Sequence, residues 1–197
     1  MAGSIIHLLA ARAWARERPE LADCPEFYLG AIAPDAVHVR AGVGKAEKQA
    51  THLGNHGKFD VKPLADYART RKSAFDVGYL VHLLTDPFWV AAYKQLPGLL
   101  KADGHTNPDV YYPEMERTER ALLDPALLAM LKAARAPGDH PLFTANEIAA
   151  WRDRTVAHYL AIAGDGRTSA HLTVSFVNAF VARAGAYLSD MMRRFDP

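Results

Sequence analysis

The chain has one cysteine, Cys24, in 197 residues, which excludes an internal disulfide and a thiolate metal cluster. It has no excess of either charge: Lys and Arg number 23 against 22 Asp and Glu, a net of +1. A dedicated nucleic-acid binder usually shows a clear basic surplus, so no nucleic-acid partner is expected. No apolar run approaches the length that spans a bilayer, and no stable membrane association is expected. The opening Met-Ala-Gly-Ser-Ile-Ile-His lacks the basic start and long apolar core of a signal peptide, so the expected location is the cytoplasm. Alternating β-branched runs, internal repeats and low-complexity tracts are also missing. What remains is half hydrophobic and 23% charged, enough apolar material for a core, with nine histidines as the unusual component.

Helical signals dominate. Ser4 is placed to cap a first helix to about Glu17, and Asp23-Cys-Pro-Glu26 has capping-box spacing ahead of a short helix to about Ile32, ended by Pro34. Residues 35–58, with glycines at 42, 44, 54 and 57, read as a long functional loop. Helices are expected over about 61–71 and 73–94, then from near Pro113, from Asp124-Pro125 to Pro137-Gly138, from the capping box Thr144-Ala-Asn-Glu147 to Gly164, and over about 168–193. In the last of these, Leu172, Phe176, Val177, Phe180, Val181, Ala184, Leu188 and Met191 form one apolar stripe. The expectation is one all-α domain over 1–197, a multi-helix bundle with no composition shift to mark a boundary.

The sharpest local feature is Gly78-Tyr-Leu-Val-His82-Leu-Leu-Thr-Asp86-Pro-Phe-Trp89. Positions i and i+4 share a helix face, so His82 and Asp86 can hold one metal ion together; a buried His–Asp hydrogen bond is the plainer alternative. Gly78 removes a side chain where another ligand could approach, and Pro87 should kink or loosen the helix. Asp35, in Ala33-Pro34-Asp35, is flanked by apolar residues and should face inward, where a carboxylate needs a partner such as a cation. His7 lies on an apolar helix and alone reads as a core residue. His52 in the loop alone reads as solvated. His105 and Asp109 repeat the i, i+4 spacing, and His38 follows Asp35 closely. His56, His140, His158 and His171 read as surface residues, as do the charges in Glu116-Arg-Thr-Glu-Arg120.

The order His7, Leu-Gly-Ala-Ile-Ala-Pro-Asp35, Thr-His52-Leu, Gly-Tyr-Leu-Val-His82-Leu-Leu-Thr-Asp86 resembles the zinc-dependent phospholipase C family, part of a phospholipase C/nuclease-like group of zinc phosphodiesterases, over roughly the first half of the chain. The resemblance implies an all-α fold of that type. It also implies that Asp35, His52, His82 and Asp86 hold a zinc ion, with Asp86 bridging to a second ion bound by His7. His105 and Asp109 stand where the family's later His-x-x-x-Glu pair falls. Phe88-Trp-Val-Ala-Ala-Tyr93 occupies the region where toxin-like members carry another histidine, so one or two ions are expected, as zinc or another divalent metal.

Two functions follow as expectations. The first is a metal-dependent hydrolase of a phosphoester, in which Asp35 or Asp86 orients or deprotonates the attacking water and Arg40 or Lys48 receives phosphate charge. Mixed charge on the helices and near-neutral balance point to a small soluble phosphoester rather than bulk phospholipid or nucleic acid. The second is a non-catalytic helical module whose metal or His/Asp network ties helices together. Assembly into a homo-oligomer is left open.

Overall fold

The computed structural model describes residues 2–54, 59–138, 140–161 and 167–195, and within them it is helical with no strand. The order is α1 (Ser4–Ala15), α2 (Pro19–Ala22), α3 (Pro25–Gly30), a 3₁₀ helix (Ala33–Val39), α4 (Lys45–Thr51), α5 (Val61–Thr70), α6 (Ala74–Tyr93), a 3₁₀ turn (Pro97–Leu99), α7 (Pro108–Ala121), α8 (Pro125–Ala133), α9 (Ala145–Ala161) and α10 (Val174–Arg193). No helix among the described residues is long and apolar enough to cross a membrane.

Two helices form the centre because they are apolar on every side. In α1 every residue from Ile5 to Ala11 is buried, and in α6 every residue from Gly78 to Asp86. Around them, α1 packs on α10 and α6, while α6 packs on α3, α10, α5 and the 3₁₀ helix. The expected stripe of α10 supplies Val177, Phe180, Ala184, Leu188 and Met191 to the core. Phe180 meets Trp89 of α6 edge-on at 4.9 Å.

Local signals set several starts. Ser73 accepts from the Asp76 N–H to open α6, Asp124 accepts from the Ala126 N–H to open α8, and Thr144 exchanges hydrogen bonds with Glu147 at the start of α9. Other expectations are corrected. Gly3, not Ser4, precedes α1, which ends at Ala15. Cys24, not Asp23, occupies the cap of α3, and Glu26 accepts from the Arg135 N–H just beyond α8. α3 ends at Gly30, two residues before the expected Ile32, and Pro34 stands in the first turn of the 3₁₀ helix that follows. α7 begins at Pro108, capped by Asn107, and not near Pro113, while α6 spans Ala74–Tyr93 with Pro87 inside it, close to the expected 73–94. Residues 35–58 are no open loop: the 3₁₀ helix and α4 fill most of the described part, and α9 covers the former. His56, Gly57 and Gly164 lie outside the described residues.

The tightest contact is between α3 and α6. A methyl group on Gly30 would collide with the Phe75 carbonyl oxygen, and one on Gly78 with the Phe27 carbonyl oxygen. Gly78 therefore serves helix packing, and the space it leaves belongs to α3 backbone, not to an incoming ligand. Alanine at 78 should raise helix propensity yet lower stability by roughly 1–3 kcal/mol, because backbone must move. Gly138→Ala, with open space around it, should stay within about 0.5 kcal/mol of wild type in the same denaturant titration.

Candidate metal centre

Because α1 lies against α6, His7 and His82 stack with ring centroids 3.6 Å apart and planes within 9°. The close α3–α6 crossing brings the Ala31 carbonyl 2.9 Å from His82 Nδ1. That contact makes Nδ1 the protonated nitrogen and leaves the Nε2 lone pair directed inward. Asp86, one turn further along α6, shares the His82 face. The 3₁₀ helix supplies Asp35, and His52 follows the last turn of α4, its Nδ1 3.0 Å from the Lys48 carbonyl. Tyr79 of α6 donates to the Thr51 carbonyl and ties α4 to the same helix.

The structure thus brings His7, Asp35, His52, His82 and Asp86 together from four elements. His52 Nε2 lies 3.8 Å from Asp35 Oδ1 and 3.7 Å from Asp86 Oδ2. His82 Nε2 lies 4.0 Å from Asp35 Oδ2 and 3.8 Å from Asp86 Oδ2. These gaps are too long for hydrogen bonds. Ligands about 2.1 Å from a tetrahedral ion stand about 3.4 Å apart, so His52 and His82, which both meet Asp86 Oδ2, need only a slight contraction to hold one with it, whereas they face different oxygens of Asp35. The other Asp86 oxygen, Oδ1, is turned to His7 Nε2 at 3.5 Å and accepts from the Ala2 N–H. Among the described residues two ligand groups meet the spacing for an ion, His7–Asp35–His82 and His52–His82–Asp86, each with its atoms within 4.8 Å.

Burial sharpens the fit. His7 and His82 are 1% and 0% exposed, and the Nε2 atoms of both have no hydrogen-bond partner. A buried polar atom left so is costly, and a cation between the carboxylates would satisfy both Nε2 atoms, while His7 Nδ1 also lacks a partner. Burial holds His82 neutral, its pKa lowered to about 3, with the stacked His7 adding to the effect. Burial also lowers His52, against the pull of Asp35 and Asp86. Burial resists charge on both aspartates. His82, the Lys48 ammonium and His52 nevertheless bring Asp35 below its ordinary value, and the His7 contact does so for Asp86. Neutral imidazoles and ionised carboxylates are the protonation states that bind a divalent metal, and nitrogen with oxygen donors suits zinc among others.

Lys48 sits at the edge of the group, its Nζ 3.3 Å from Asp35 Oδ1 and 2.9 Å from His38 Nε2. His38 therefore borders the centre as an acceptor for Lys48, 3.8 Å from Asp35. Arg40 does not join it: its Nε donates to Glu147 Oε1 at 2.6 Å and its Nη2 to the Leu142 carbonyl, away from the ligands. His105 and Asp109 are exposed, at the turn before α7 and in its first turn, and neither belongs to a metal-spaced group among the described residues. His158 and His171 are on the surface. His140 is buried instead, its Nε2 3.0 Å from the Tyr67 hydroxyl, which also donates to Asp76. Glu119 is buried too, and Thr118 beside it, which corrects the expectation that Glu116-Arg-Thr-Glu-Arg120 is a solvated face. It accepts from the Ile6 N–H and the Tyr159 hydroxyl, and burial raises its pKa to about 7. The only signal for it was position, one helical turn from Met115 and two from Tyr112 and Tyr111.

Two outcomes are expected. Chelator-stripped wild type should take up zinc in a calorimetric titration, and His82→Ala or Asp86→Ala should weaken uptake more than 100-fold; unchanged metal content in both would remove the assignment. Arg40→Gln should leave metal content alone and cost roughly 1–3 kcal/mol of stability. Arg40 lowers the Glu147 pKa to about 2, so the pair's contribution is complete above about 4.5, the ordinary value, and is lost as pH falls from there towards 2. The difference between wild type and Arg40→Gln in thermal melts should shrink over that window.

Compared with protein-family models, curated proteins and solved structures, the chain matches none.

Proposed function

We propose that the protein is a divalent-metal-dependent hydrolase of small soluble phosphoesters, with a phospholipase C/nuclease-like helical fold and zinc as the first candidate metal. The observation that carries this reading is the position of Asp35. It belongs to the ligand group, yet it also lines a cleft of about 310 Å³ that opens outward between α7 and α9. A metal site that only tied helices together would have no need of a carboxylate facing an open cleft. The order of the ligands along the chain, which resembles the zinc-dependent phospholipase C family, supports the same reading.

His7, Asp35, His52, His82 and Asp86 would hold one or two ions, with the two Asp86 oxygens turned to different histidines. When bound, such an ion supplies Lewis acidity and lowers the pKa of a coordinated water. The chain's own groups do the rest. Asp35, at the cleft floor, orients the attacking water through a hydrogen bond to its carboxylate. Lys48, 14% exposed and aimed by His38, donates to a phosphoryl oxygen and offsets its charge; it takes the role that Arg40, tied to Glu147, does not. Ala31 holds the His82 ring so that its free nitrogen keeps one direction.

The alternative, a non-catalytic module with a structural metal site, is favoured by the depth of the ligands, four of which come from α1, α4's end and α6. Turnover separates the two. Stripped protein should hydrolyse bis(p-nitrophenyl) phosphate only after zinc, manganese, iron or nickel is restored. Asp35→Asn should lose at least 100-fold in kcat with its melting curve intact, and Lys48→Met about 10–100-fold in kcat/KM with metal content unchanged. No metal-dependent turnover of any phosphoester would leave the structural module. Rapid cleavage of phosphatidylcholine vesicles with small phosphoesters untouched would overturn the substrate class.

A further inference from the structure

The cleft above Asp35 carries features that the metal centre does not use. One wall is α7, with Tyr112 and Glu116, and the other is α9, with Arg154, Thr155 and His158. Thr155 is 4% exposed and its Oγ1 has no hydrogen-bond partner. A threonine inside a helix commonly donates to the carbonyl one turn back, as Thr85 does to Val81 at 2.7 Å in α6. Thr155 makes no such bond, and its residue lines the cleft. Leaving a buried hydroxyl unsatisfied is costly, and a rotation of the side chain about χ1 would present it to a ligand in the cleft.

The remaining wall groups narrow the ligand's chemistry. Arg154 donates to the His38 carbonyl at 3.1 Å and has no carboxylate partner among the described residues. Glu116 stands exposed across the cleft. An anionic fragment would meet Glu116 and a cationic one Arg154, each an unfavourable approach for one wall. An alkyl chain would leave the Thr155 hydroxyl stranded. A hydroxylated fragment accepts from Arg154 and Thr155 and donates to Glu116, so it satisfies all three. The volume, at the lower end for small-molecule sites, suits a glycerol- or sugar-sized group and not paired acyl chains.

Resting on the phosphoester reading above, we propose that the α7–α9 cleft is the subsite for the alcohol portion of the substrate and selects a small hydroxylated alcohol, with the Thr155 hydroxyl as its specificity-determining contact. Thr155 acts on binding of the alcohol and has no part in the chemistry at phosphorus.

The test compares two non-hydrolysable phosphonates of equal chain length, 3,4-dihydroxybutylphosphonate and butylphosphonate, binding to zinc-loaded protein in calorimetric titrations. Wild type should prefer the dihydroxy compound by about 3–10-fold, the range of one neutral hydrogen bond. Thr155→Val, nearly isosteric, should erase that preference and leave butylphosphonate affinity unchanged, while Thr155→Ser should retain it. Equal affinity of wild type for the two compounds, or an equal loss for both in Thr155→Val, overturns the subsite while metal-dependent turnover still stands. If neither phosphonate binds to protein shown to carry zinc, the subsite falls together with the phosphoester reading.

Discussion

The contact between two glycines and the backbone opposite them governs much of this molecule. With no side chain at Gly30 or Gly78, α3 and α6 approach until backbone meets backbone. That approach sets the Ala31 carbonyl against His82, which selects the tautomer of the ring and the direction of its free nitrogen. The 3₁₀ helix that leaves α3 then has one place to go, beside α6 and under α9, and it carries Asp35 there. Packing, hydrogen bonding and ligand placement are thus consequences of one short distance.

Gathering polar groups in an apolar centre is expensive, and the chain spreads the cost. Burial keeps His82 neutral, so the stacked pair His7–His82 does not set two charged rings against each other. The carboxylates stay charged because each has help: Lys48 beside Asp35, and the Ala2 N–H with His7 beside Asp86. A second buried acid, Glu119, is handled differently. It sits at the start of α1, where no side chain of α1's own caps the helix, and accepts from the Ile6 N–H there. The first turn of α1 is therefore held by α7, and with it the neighbourhood of His7.

Much of this was legible before the fold was known, and the reasons are local. Asp124-Pro125 and Thr144-x-x-Glu147 act within one turn, so the starts of α8 and α9 can be read from residues. The order of His7, Asp35, His52, His82 and Asp86 is likewise visible, with all but His52 in a distinctive apolar setting. What escaped depends on distant partners. The segment 35–58 lacks strong helix signals; its 3₁₀ helix lies against α9 and α6, and the mostly exposed α4 packs on that 3₁₀ helix. Arg40 seemed free to meet phosphate until Glu147, far along the chain, was seen to hold it. His140 and Glu119 sit among polar neighbours in sequence and among aromatic or helical ones in space. Thr155 has no signal at all in one dimension, since its orphan hydroxyl is defined by what α9 does not offer it.

The spread of the ligand residues along the chain has a further consequence. They stand in α1, the 3₁₀ helix, the end of α4 and α6, segments separated by long stretches of intervening chain. An ion gripping all four would fasten those points to one another, as a covalent cross-link does, and would withdraw far more freedom from the unfolded chain than from the folded one. A protein with Cys24 as its sole thiol has no disulfide with which to do this. Coordination would therefore act as the staple of the first half of the molecule.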